Sequence, residues 1–176
     1  CVMADVFRGM RAVVSHLITT GHRRIGFVNG PTTTSSSAEK LSALQLELGL
    51  NGLPFHHDCM VQSEFEPEAG YQQTLHLLDT YPEVDAIVYA DDDIAIGGLK
   101  AIRETGRRIP DDIAVTGFGD YRLARFVDPN LTTVHYDMYA MGRIAARRLA
   151  MLMEEADDDR WLTLAPTFLV KRESTK

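Results

Sequence analysis

Cysteine is scarce in this chain. Its 176 residues hold two, Cys1 and Cys59, without Cys-x-x-Cys spacing, so neither a disulfide framework nor a zinc site is implied. A reducing cytoplasm suits such a composition. Long apolar runs are also missing, and nothing approaches the roughly 18 consecutive apolar residues of a membrane span. No charged-then-apolar secretory segment opens the chain. Residues 1–6, Cys-Val-Met-Ala-Asp-Val, instead read as the end of a strand without its beginning. Positive charge is not in excess either: 18 Lys and Arg stand against 25 Asp and Glu, for a net charge of −7. A chain that grips a phosphate backbone by itself concentrates Lys and Arg. The pairs Arg23-Arg24, Arg107-Arg108 and Arg147-Arg148 sit beside acids or apolar residues and read as solvated rims.

Several catalytic signatures are absent as well. There is no Gly-x-Ser-x-Gly nucleophile elbow, and the loop from Gly30 through Ser37 lacks the Gly-Lys-Ser/Thr ending of a phosphate cradle. The six histidines do not converge. His56-His57 falls in a proline-containing loop, His16 reads as a half-buried helix residue, and His22 belongs to the turn after that helix.

What is present is ordinary globular chemistry, with 45% hydrophobic and 24% charged residues. The length allows one sizeable core or two small lobes sharing a cleft. The apolar period alternates between helix and strand. Helices are expected over 8–20 (stopped by Gly21), 38–50 (stopped by Gly49), from Pro67 through Leu78, and over 93–106 and 137–155. Strands are expected over 24–30, 59–63, 84–90, 112–118 and 131–136, with an acidic turn at 156–160 and an extended end over 162–174. Glu66-Pro67-Glu68 is a helix start, with proline at the first helical position and acids in the first turn. This alternation predicts an α/β fold, a parallel sheet flanked by helices on both faces. In such sheets ligands sit beyond the carboxyl ends of the strands. That singles out Asn29-Gly30, Phe65, Asp91-Asp92 and Gly119-Asp120.

Three readings fit Asp91-Asp92-Asp93. Asp91 and Asp93 could hold Mg²⁺ for phosphoryl transfer, since that hard cation takes oxygen ligands. Any of the three acids could cap the following helix by accepting its free N–H groups. One could accept hydrogen bonds from the vicinal hydroxyls of a ligand. A division that meets the last two gives the cap to Asp92 or Asp93 and the ligand to Asp91. Phe65, after a strand and before a proline-started helix, could stack on a ligand ring or fill the core.

Four stretches taken in order carry a resemblance: "GHRRIGFVNG", "FEPEAGY", "VDAIVYADDDIAIGGLKAIRETGRRIPDDIAVTGFGD" and "DPNLTTVHYDMYAMGRIAARRL". Together with the closing "LVKRES", they are similar to the effector-binding region of bacterial transcription regulators of the lactose-repressor/galactose-repressor (LacI/GalR) family. The resemblance implies a two-lobed, periplasmic-binding-protein-like (type I) fold. Residues 1–30 and 134–156 would form an incomplete N-terminal lobe, and 31–131 and 160–176 the C-terminal lobe, with Leu131 to Val134 as a crossing strand. It further implies that the strand "IGFVN" lacks partners, leaving an open edge.

The implied function is non-enzymatic and uses no cofactor. A small-molecule effector (a sugar, sugar acid or related metabolite) would bias lobe arrangements that are read out on operator DNA. That readout would pass through a helix-turn-helix headpiece not contained in these residues. A homodimer is implied too, and mutating the helix "AMGRIAARRLAML" would test whether it contributes. By resemblance, Phe65 stacks on the effector and Asp91, at a position often Asn, hydrogen-bonds it. Ser37 stands where the family often has a ligand-contacting arginine. Gly119 replaces the first acid of the usual Gly-Phe-Asp-Asp. Asn29 and Asp120 are further candidate liners. The alternatives are a solute-binding protein of a sugar transport system and a Mg²⁺-dependent phosphatase.

Overall fold

The computed structural model describes residues 1–154 and 161–175, so the acidic turn expected over 156–160 lies outside the described residues. Four parallel strands form the main sheet, in the order β3 (Met60–Gln62), β2 (Ile25–Asn29), β4 (Ala86–Tyr89), β5 (Ala114–Thr116). Every residue of β2, β4 and β5 is buried, which is why these segments read as continuous apolar runs rather than alternating ones. The crossovers are α2 (Ser35–Leu50), α3 (Pro67–Thr80) and α4 (Asp92–Glu104), and α1 (Val6–Thr19) packs beside α2. The core gathers Met10, Leu17, Phe27, Leu77, Ile87, Tyr89 and Ile94. Two two-stranded sheets complete the architecture. β1 (Val2–Ala4) pairs in parallel with β7 (Thr163–Ala165), and β6 (Thr133–Tyr136) pairs antiparallel with β8 (Thr167–Val170). Helix α5 (Met138–Met153) has no buried residue.

Three expectations change. β2 has partners on both sides, Phe27 facing Met60 and Ile25 facing Ala86, so "IGFVN" leaves no open edge. It lies inside the four-stranded sheet, apart from β1, with which it was grouped over residues 1–30. Likewise β7, grouped with the other lobe over 160–176, pairs with β1. The resemblance implied both groupings, but hydrogen-bonding partners decide membership of a sheet.

Helix ends moved for local reasons. α2 starts at Ser35, three residues early, because the Thr34 hydroxyl accepts from the Ser37 N–H and caps it. It also runs past Gly49 to Leu50, and the chain turns at Gly52, whose φ of 68° suits glycine. His16 is buried rather than half-buried, its Nε2 2.9 Å from the Thr175 hydroxyl. Burial lowers its pKa.

Candidate functional site

A cleft of about 430 Å³ opens where β3, β4 and β5 end, with β1, α2, β6 and α5 also contributing side chains. Phe65, Asp91, Lys40, Phe118, Tyr121 and Tyr136 line it, together with Ser36 and Asp93. Phe65 is 38% exposed and lines the cleft rather than joining the core. Its ring lies over Gly30, where an added Cβ would come within 2.4 Å of Cζ. The glycine is what lets the ring lie there.

Asp91 does two jobs. It is the N-cap of α4, Oδ1 accepting from the Asp93 N–H at 2.8 Å, and it also lines the cleft beside Tyr121. Burial raises its pKa, opposed by the Asp93 N–H and the Tyr121 hydroxyl. The cap expected of Asp92 or Asp93 therefore belongs to Asp91. Asp92 instead points inward, Oδ1 accepting from the Thr133 hydroxyl at 2.5 Å and Oδ2 from the Tyr121 N–H at 2.7 Å. Burial pushes its pKa up to about 6. It pins the end of β5 to β6. Among the described residues no group of three or more His, Cys, Asp or Glu is placed to hold a metal ion.

Lys40 is the site residue that sequence reasoning missed. Its ammonium donates to the Ala90 carbonyl at 2.8 Å and lies 4.3 Å from the centroid of the Phe118 ring, a cation–π contact. Burial lowers its pKa to about 8, while Asp91, Asp92 and Glu39 oppose that shift. A signal existed, since Lys40 shares the buried stripe of α2 with Ala43, Leu44, Glu47 and Leu48. A lysine on such a stripe is rarely buried without a partner.

The remaining candidates support the cleft from behind. Ser37 is buried one turn before Lys40, its hydroxyl 2.6 Å from that of Thr34. The basic group that α2 brings to the cleft is thus Lys40, and Ser37 secures the helix start. Asn29 joins β2 to α2, its amide donating to the Ser37 carbonyl at 3.1 Å and its oxygen accepting from the Gly30 N–H at 2.9 Å. Asp120 faces away into an ionic cluster, accepting from Arg172, from Arg125 at 2.9 Å and from His135 at 3.0 Å. Burial opposes its ionisation, yet Arg172 and Arg125 hold its pKa below the usual carboxylate value. Gly119 has φ of 135°, and an added Cβ there would come within 2.6 Å of the Tyr121 ring. None of these four is among the residues that line the cleft.

Residues 14–175 match the family described as the periplasmic binding protein-like domain. The chain is 32% identical over 170 residues to the HTH-type transcriptional regulator CelR of Thermobifida fusca, covering 97% of this chain and 50% of that one. It is 34% identical over 174 residues to the lactose operon repressor of Klebsiella pneumoniae, covering 99% and 48%. It thus spans about half the length of the curated relatives it matches. Among solved structures, a complex of the transcriptional regulator CelR with cellobiose superposes with a TM-score of 0.95 at 32% identity, over 98% of this chain and 53% of that one. A lac repressor dimer bound to operator and the anti-inducer ONPF gives 0.93 at 29% identity, over 99% and 60%. No helix among the described residues is long and apolar enough to cross a membrane. By sequence and by fold, this chain belongs to the periplasmic binding protein-like domain family, as the region corresponding to the C-terminal effector-binding part of lactose-repressor-type regulators.

Proposed function

We propose that this chain is the effector-sensing part of a cytoplasmic bacterial transcription regulator, without enzymatic activity. Its cleft takes a small polar metabolite, a sugar or sugar derivative. The observation that carries this reading is the convergence of one exposed aromatic face, Phe65, with the polar groups Lys40, Asp91, Tyr121 and Tyr136 in a single cleft. Aromatic rings stack on the apolar faces of sugars, while a few fixed polar groups read their hydroxyls. The relative whose structure holds cellobiose supports the same ligand class.

One lobe is built on the four-stranded sheet and the other on β1, β7 and α5, with β6 passing close to both Asp92 and the cleft. An effector that contacts the two lobes better in one arrangement than in another shifts their equilibrium. Operator DNA is contacted through a helix-turn-helix headpiece outside these residues, in a homodimer.

The test is a thermal melt of this chain with a panel of sugars, sugar acids, phosphosugars and nucleosides. A ligand at about a hundred times its Kd adds roughly 2.7 kcal/mol, enough to move the midpoint visibly. One compound class raises the midpoint, and Phe65→Ala abolishes that shift while melting close to wild type, because the ring is partly exposed. A shift that survives Phe65→Ala would place the ligand elsewhere.

A further inference from the structure

We propose that Tyr121 is a specificity-determining residue of the cleft, selecting an uncharged, polyhydroxylated effector over a sugar acid. This inference rests on the cleft being the effector site.

Gly119 is the first observation. Its backbone has φ of 135°, a region that L side chains rarely adopt, and a Cβ there would collide with the Tyr121 ring at 2.6–3.0 Å. The space that a side chain at 119 would occupy is filled by the aromatic ring two residues on. The Tyr121 backbone is fixed in turn, its N–H donating to the fully buried Asp92. Its hydroxyl is set against the Asp91 carboxylate, at the start of α4, and the Tyr136 hydroxyl, on β6, and all three residues line the cleft. The ring therefore has a defined seat, and its polar end stands beside two cleft-lining groups from different elements.

That arrangement reads protons. A carboxylate only accepts, so of this pair Tyr121 is the donor, with a single hydroxyl proton to give. A ligand that inserts between the two must donate to Asp91 and accept from Tyr121 at the same time. A sugar hydroxyl does both. A ligand carboxylate can only accept, and it would meet Asp91 and Asp93 as like charges in a partly desolvated cleft. The lining supplies one ammonium, Lys40, against these two carboxylates. That ammonium already donates to the Ala90 carbonyl and faces the Phe118 ring. A phenol at this place adds a donor without adding a third negative charge.

The experiment is calorimetric titration of the chain and of Tyr121→Phe with matched pairs of neutral sugars and their acids: glucose with gluconate and glucuronate, galactose with galacturonate, cellobiose with cellobionate. Wild type should bind a neutral member and show no binding of its acid at the same concentrations. Tyr121→Phe keeps the ring and should lower that affinity about ten-fold, the loss of one hydrogen bond to a ligand hydroxyl. Tyr121→His, which keeps an aromatic ring with a donating edge, should recover part of it. Should Tyr121→Phe melt well below wild type, Tyr121→His is compared with Tyr121→Leu instead, and the same loss is read from Leu. Preferred binding of an acid, or equal affinity in the hydroxyl-free variant, overturns the inference while leaving the cleft as the effector site. Absence of binding by every compound, together with no melting shift across the wider panel, overturns the cleft reading and this one with it.

Discussion

Asp92 carries both oxygens into the protein interior, where one accepts from a hydroxyl and the other from a backbone amide. Neither contact supplies a positive charge, so burial dominates and its pKa rises to about 6 from 3.8. The consequence for stability has a definite sign. Below pH 4 the folded and unfolded chains both carry the proton. Between about pH 4 and 6 the unfolded chain loses it while the folded chain holds it, so stability falls as pH rises through that window, by about 3 kcal/mol. Above pH 6 both forms are ionised and the contribution is flat. Urea unfolding of wild type and Asp92→Asn from pH 4 to 7 isolates this group, since the other titrations are common to both proteins. Wild type should lose about 3 kcal/mol relative to the variant across the window. Parallel profiles would mean that Asp92 is no more buried in solution than an ordinary surface acid.

At the scale of elements, the pairing of α3 with α4 is set by small residues. Gly97 lies against the first turn of α3, where a Cβ would come 1.8 Å from the Pro67 carbonyl oxygen, and Gly70 faces Ile94 with its own clash at 2.3 Å. Both obstacles are backbone, so neither can swing aside. Gly97→Ala should therefore cost about 3 kcal/mol, at the upper end of overpacking effects. Gly142→Ala in α5, where nothing lies within 4 Å, should stabilise by up to about 1 kcal/mol through helix propensity. Denaturant melts of the two variants should move in opposite directions. A neutral Gly97→Ala would require the helices to separate freely.

The elements were legible in the sequence because each obeys a local rule. Pro67 starts α3, Gly21 ends the first helix at a positive φ, and unbroken apolar runs mark strands buried on both faces. Cleft membership was legible where strand ends carry it, as at Phe65 and Asp91. It was not legible at Lys40, whose burial depends on Ala90 and Phe118 from other elements. The inward turn of Asp120 was hidden for the same reason, since its partners Arg125, His135 and Arg172 assemble only on folding.

On the scale of the whole molecule, the segment 172–175 ties the end of the main sheet to the strand that runs beside the cleft. β5 ends the order β3-β2-β4-β5, and its outer side would present unpaired backbone groups, as sheet edges do. Thr132 covers its far end, bridging Thr116 and accepting from the Gly117 N–H at 2.9 Å, and Ser174 closes it at Val115. The Ser174 carbonyl accepts from the Val115 N–H at 2.9 Å, and its hydroxyl donates to the Val115 carbonyl at 2.6 Å while accepting from the Thr132 N–H at 2.8 Å. Arg172 adds its contact to Asp120, the residue between Gly119 and Tyr121. Ser174→Ala leaves the backbone bond but strands a buried carbonyl and a buried amide, so it should lower stability by about 2–3 kcal/mol. Deleting residues 172–176 removes the backbone cover as well. The deleted protein should melt lower still and elute from a sizing column with associated species, because the Val115 end of β5 is then open to another chain. A truncated protein that melts with wild type and remains in the wild-type elution peak would show that this segment merely lies on the sheet and closes nothing.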